Sequence, residues 1–128
     1  MAPLPETLTT PLSSLLRRAP VTCPPDMPIR AALSLMRRDR VGSLLVVDAE
    51  GRPAGVFTLN DLRDRVAAEE CDLDRPMSSV MTPDPFCLGG DATALEAALA
   101  MAQRLIHHVV VTMADGRILG VVSEKDAA

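Results

Sequence analysis

Helix-like and strand-like patterns alternate twice along the chain in the same order. Pro20, Val21, Thr22 and Cys23 read as a short extended segment bounded by prolines. Asp26 then precedes Ile29, Ala32, Leu33 and Met36, whose spacing predicts an amphipathic helix with Asp26 available as its N-terminal cap. Leu44, Leu45, Val46 and Val47 predict a buried strand. Ala49-Glu50-Gly51 predicts a turn with Gly51 suited to positive φ, residues 54–58 a further strand, and Asn60 through Val66 and Ala67 a second helix. The later half follows suit. Pro85, Phe86, Cys87 and Leu88 are extended, and Asp91 and Thr93 precede a helical stripe of Leu95, Ala98, Leu99 and Ala102. Val109, Val110 and Val111 form a strand, Ala114-Asp115-Gly116 a turn, and residues 119–123 the closing strand.

The two halves are copies of one unit, displaced by 65 residues without a gap. Gly51-Arg52-Pro53-Ala54-Gly55-Val56-Phe57-Thr58 returns as Gly116-Arg117-Ile118-Leu119-Gly120-Val121-Val122-Ser123. The same displacement pairs Pro11 with Pro76, Asp26 with Asp91, Ala32 with Ala97, Met36 with Met101, and Asp61 with Asp126. A register held this long implies duplication of a βαββα unit. The predicted organisation is a loose leader over 1–10, a first repeat over 11–68, a polar and acidic linker over 69–75, and a second repeat over 76–128. The last helix of the second repeat is cut short at Ala128, so a longer chain or a partner is expected to cover that sheet.

Composition narrows the function. Aromatic residues are confined to Phe57 and Phe86, so the core must be aliphatic. A net charge of −4 argues against nucleic acid, which calls for a clustered basic face. Cys23, Cys71 and Cys87 are odd in number and lack CxxC spacing, which points to reduced thiols in a cytoplasmic protein rather than a disulfide framework or a metal site. No run reaches the length of a membrane span, and no signal-peptide core precedes residue 10. Phosphate-loop, dinucleotide-fold, zinc-protease and serine-hydrolase motifs are absent; Asp48, Glu50 and Asp115 belong to turns, and no catalytic residue or enzyme activity is assigned.

The chemistry-bearing pattern is Thr58-x-x-Asp61, repeated as Ser123-x-x-Asp126. One reading is a capping box that closes the free N–H groups of a helix start. The other sets that helix start against a phosphate, with the Thr hydroxyl as donor and the Asp carboxylate accepting from two ribose hydroxyls. His107 and His108, adjacent at a strand start, point to opposite faces and cannot share a metal; either could touch phosphate or make an ordinary hydrogen bond. Gly42 and Ser43 hold those places in the first copy. Arg37, Arg38 and Arg40 read as a solvated helix end that complements the helix dipole.

Gly55-Val56-Phe57-Thr58-Leu59-Asn60-Asp61 and Gly120-Val121-Val122-Ser123-Glu124-Lys125-Asp126, at matching places in two repeats, resemble the signature of the CBS domain family. Ser78-Ser79-Val80-Met81-Thr82-Pro83 and His108-Val109-Val110-Val111 are also similar to it. The resemblance spans the chain from about Pro11 onward. It implies an α/β (α+β) fold of two βαββα repeats about a pseudo-two-fold axis, each a three-stranded sheet with two helices. It implies clefts that hold AMP, ADP, ATP or S-adenosylmethionine as a regulatory ligand, with no cofactor required. Homodimers and control of a fused or partner effector domain are implied as well. In such a cleft Val21, Thr22 and Phe86 would border the base, although core packing is the simpler account of Val21 and Phe86. Two rival expectations stand beside this one: a ligand-independent dimerisation scaffold, and the regulatory fragment of a larger enzyme or transporter.

Overall fold

The computed structural model describes residues 6–16 and 19–124. They divide into two compact units: residues 20–85, and the residues up to 19 together with those from 86 onward.

In the first unit, strand β1 (Thr22–Cys23) runs parallel to β2 (Ser43–Val47), β2 pairs antiparallel with β3 (Pro53–Thr58), and helix α2 (Ile29–Asp39) makes the crossover from β1 to β2. Burial follows the predicted periods. Ile29, Ala32 and Met36 face the sheet from α2, and Leu44, Val46 and Phe57 receive them. Asp48 folds the β2–β3 turn by accepting from the Glu50 and Arg52 amides, and Gly51 takes φ 81°, as its place in the turn requires. After β3 the chain enters α3 (Leu59–Asp61), which continues as a π-wound segment over Leu62–Ala67. A fourth strand, β4 (Thr82–Pro83), completes the sheet order β1-β2-β3-β4, although by sequence its residues belong to the second repeat.

The second unit repeats the plan with β5 (Cys87–Gly89), α4 (Ala94–Arg104), β6 (His108–Thr112) and β7 (Ile118–Ser123), in sheet order β5-β6-β7. Gly116 takes φ 91° at the turn. Two sequence expectations are corrected here. The stripe of α4 that meets the sheet is Ala94, Ala97 and Met101, with Leu99 left 51% exposed. Leu95, Ala98, Leu99 and Ala102 lie off that stripe. Asp26 caps nothing: α2 starts after Pro28 with no side-chain cap, whereas α4 does use Thr93, whose hydroxyl accepts from the Glu96 amide at 3.2 Å.

What closes the start of α2 is backbone from the linker. The Ile29 and Arg30 amides donate to the Arg75 and Leu73 carbonyls, each at 2.9 Å. In the second unit the Ala94 amide donates to the Thr10 carbonyl at 2.9 Å, directly after a short helix α1 (Glu6–Thr9). Thr10 and Arg75 stand at the repeat displacement, and the correspondence continues. The Leu12 amide bonds the Ala92 carbonyl as the Met77 amide bonds that of Met27, both at 2.8 Å. Leu12 is fully buried in the core of the second unit and Met77 in that of the first. The opening segment of each repeat, with the residues just ahead of it, therefore docks on the other repeat's core. Gly55 and Gly120 permit it. A Cβ on Gly55 would lie 2.9 Å from the Thr82 carbonyl oxygen, and one on Gly120 would lie 2.8 Å from Leu16 Cδ2.

Among the described residues no helix is long and apolar enough to cross a membrane, and Cys23, Cys71 and Cys87 are free thiols.

Candidate functional site

The β3–α3 junction carries the most developed polar cluster. β3 ends at Thr58, which is extended at φ −125° and ψ 173° and serves as the N-cap of α3. Both arms of a capping box are formed. Thr58 Oγ1 accepts from the Asp61 amide at 3.4 Å, and Asp61 Oδ2 accepts from the Thr58 amide at 3.0 Å. Thr58 Oγ1 also donates to Asp61 Oδ2 at 3.3 Å. Asp61 is 8% exposed, the one buried charged residue among those described. Its second oxygen, Oδ1, accepts from Thr82 Oγ1 at 3.3 Å and lies 3.6 Å from Arg65 Nε. Arg65 in turn donates from a terminal nitrogen to the Met81 carbonyl at 2.8 Å. A buried carboxylate is tolerated here because both of its oxygens are met by donors.

The π-wound segment that follows is of a rare kind that recurs at functional sites. It places Arg65 one turn beyond Asp61. The spacing of four residues is legible as a helical pair, but Thr82, which lies 21 residues from Asp61, is not.

The second repeat shows a different junction. Ser123 ends β7 opposite His108 on β6, and the Glu124 amide donates to the His107 carbonyl at 3.1 Å, as the Leu59 amide does to Gly42 at 3.2 Å. His107 Nδ1 is 3.1 Å from Glu124 Oε1, and both side chains are exposed. His108 is half-buried within β6, whereas His107 lies just ahead of the strand. Asp126 lies outside the described residues.

Val21 and Thr22 stand at the start of the first sheet. Val21 is half-buried ahead of β1, with its carbonyl accepting from Leu45 at 3.0 Å, and Thr22 is exposed in register with Leu45. Phe86 likewise precedes its strand. Its carbonyl accepts from Val110 at 2.9 Å, and one face of its ring is covered by the Arg104 guanidinium at 4.0 Å from the centroid. The residues brought into direct contact are thus Thr58 with Asp61, joined by Arg65 and Thr82; Ser123 is opposite His108, and His107 pairs with Glu124. The Arg37–Arg40 stretch closes α2, with Arg38 pairing with Asp39 at 3.1 Å and Arg40 left-handed at φ 54°.

Comparison with known proteins places this geometry. A family model for the CBS domain matches residues 12–68 and again 77–128. A CBS domain protein of Pyrobaculum aerophilum, solved in complex with AMP, superposes with a TM-score of 0.83 at 30% identity, over 91% of this chain and 89% of that one. A CBS-domain protein of Agrobacterium tumefaciens matches with a TM-score of 0.82 at 28% identity, over 98% of this chain and 96% of the other. Among curated relatives, inosine-5'-monophosphate dehydrogenase of Mycobacterium leprae is 33% identical over 84% of this chain, and the chain spans only 20% of that enzyme. An uncharacterized 17.7 kDa protein of Acidianus ambivalens is 30% identical over 81% of this chain and 62% of its own length.

Proposed function

Because the chain belongs to the CBS domain family, as a tandem pair of regulatory repeats, we propose that it is a cytoplasmic sensor of an adenine nucleotide and performs no catalysis itself. The observation that carries the reading is the formed Thr58–Asp61 turn at the end of β3. It stands in a chain with the fold of an AMP-complexed relative at 30% identity. A carboxylate fixed at a helix start can accept from both hydroxyls of a ribose, and the amides of that start favour the adjoining phosphate. AMP, ADP, ATP and S-adenosylmethionine share the adenosine that this recognition needs. Ser123, His107 and His108 would supply a second, chemically different site, and Val21, Thr22 and Phe86 the surroundings of the base.

A ligand signals only through unequal affinity for two arrangements of the protein, so the output would pass to an effector domain on this chain or on a partner. The same proposal includes a homodimer. Leu99 at 51% and Leu105 at 86% exposure are apolar surface that a second copy would cover.

Titration calorimetry with AMP, ATP and S-adenosylmethionine tests the reading. At least one ligand is expected to bind, and Asp61→Ala is expected to abolish that binding while lowering stability by about 1 to 3 kcal/mol, as the loss of a buried acceptor does. Flat traces with all three would favour the ligand-independent scaffold instead.

A further inference from the structure

Asp61 already accepts three hydrogen bonds and faces one guanidinium. A carboxylate offers roughly four lone-pair positions. Here Oδ2 receives the Thr58 amide and hydroxyl, and Oδ1 receives the Thr82 hydroxyl and faces the Arg65 guanidinium. The two sides differ in kind. Oδ2 is tied to a backbone amide and to the cap of its own helix. The donors on Oδ1 come from rotatable side chains, one of them on β4, a two-residue edge strand that pairs only through Gly55 and Val56.

We propose that Thr82 is a built-in competitor for Asp61: nucleotide uptake displaces its hydroxyl from Oδ1 and thereby loosens β4. The inference rests on the assignment of Asp61 to the ribose. A diol brings two donors to a carboxylate that already accepts three hydrogen bonds and faces a guanidinium, and the exchange that leaves the helix cap intact is on the Oδ1 side. Thr82 is exposed, so its hydroxyl finds water as soon as it lets go. Arg65 would lose its ion pair with Asp61 yet keep its hydrogen bond to the Met81 carbonyl, since that bond uses a different nitrogen. Binding at α3 would in this way be felt in the segment that leads on to β5, which gives the site an output of its own.

Calorimetric titration of AMP into the parent, Thr82→Val and Thr82→Ser tests the exchange. Valine keeps the shape and suits an exposed strand, but it brings no donor. Thr82→Val is expected to bind AMP roughly threefold or more tighter than the parent, because a bond to a charged acceptor need no longer be broken. Thr82→Ser keeps the hydroxyl and is expected to bind like the parent. A silent parent with a binding Thr82→Val supports the same conclusion. If the parent binds AMP and Thr82→Val binds equally or more weakly, competition is overturned while the nucleotide reading stands. Competition is likewise overturned if Thr82→Ser tightens as much as valine does. If neither parent nor variants bind AMP, ATP or S-adenosylmethionine, both readings fall. Should Thr82→Val not fold, Thr82→Ala removes the same donor.

Discussion

The most exacting test of the architecture is Leu12→Ala. Leu12 belongs by sequence to the first repeat, yet it is fully buried in the cluster of Ala97, Met101, Val109, Val111 and Val122. Truncating a fully buried leucine costs about 2 to 5 kcal/mol, the larger values applying where the surroundings cannot collapse. Collapse is restricted here, because the Leu12 and Ser13 amides are held by the Ala92 and Gly90 carbonyls at 2.8 and 2.9 Å. A loss of about 3 kcal/mol is therefore expected, a large share of the roughly 5 to 15 kcal/mol that a domain commands. With a urea slope of about 1.5 to 3 kcal/mol/M for a chain of this size, the midpoint should fall by about 1 to 2 M. Met77→Ala, at the corresponding place in the first unit, should cost a similar amount. Met113→Ala, at 40% exposure beside the β6–β7 turn, should stay within about 0.5 kcal/mol of the parent. Urea melts followed by circular dichroism decide the matter. A Leu12→Ala midpoint indistinguishable from that of Met113→Ala would mean that the segment around Leu12 is not docked, and the reciprocal arrangement would have to be abandoned.

Two further predictions concern β4 and the buried thiol. Gly55→Ala would set a methyl group against Met81 and the Thr82 carbonyl, and should cost on the order of 1 to 3 kcal/mol by thermal melt; an unchanged melt would show that β4 does not lie on β3. Burial raises the Cys23 thiol from 9.0 to about 11, so its thiolate forms first in the unfolded chain. The stability linked to this group is whole below pH 9 and is lost as pH rises toward about 11. At pH 8 a thiol reagent should accordingly modify half-exposed Cys71 first and reach Cys23 only in denaturant, and equal native rates would contradict its burial.

Much of the fold is legible because the pattern occurs twice. The strands other than β4, both long helices and the glycine turns follow from periods of 2 and 3.6 and from Gly51 and Gly116. The buried face of α4 does not, because an alanine-rich helix offers two apolar stripes, and period alone does not choose between them. The repeat register holds the answer, since Ala97 and Met101 align with the buried Ala32 and Met36. Asp26 fails as a cap because the linker carbonyls of Leu73 and Arg75 reach the α2 amides, and carbonyls leave no trace in side-chain chemistry. At the site, the Thr58–Asp61 pairing is readable from spacing. The contact with Thr82 is not, because it depends on where β4 returns to the sheet.

The exchange of opening segments bears on how this protein can be taken apart. A cut at residue 70 would give two pieces, each deprived of the arm that seals its α2 or α4 and plugs its core, so neither half should be autonomous. The portable element is the duplicated whole. Any graft, shuffle or truncation that respects the repeat boundaries visible in the sequence would cross a seam of the folded molecule.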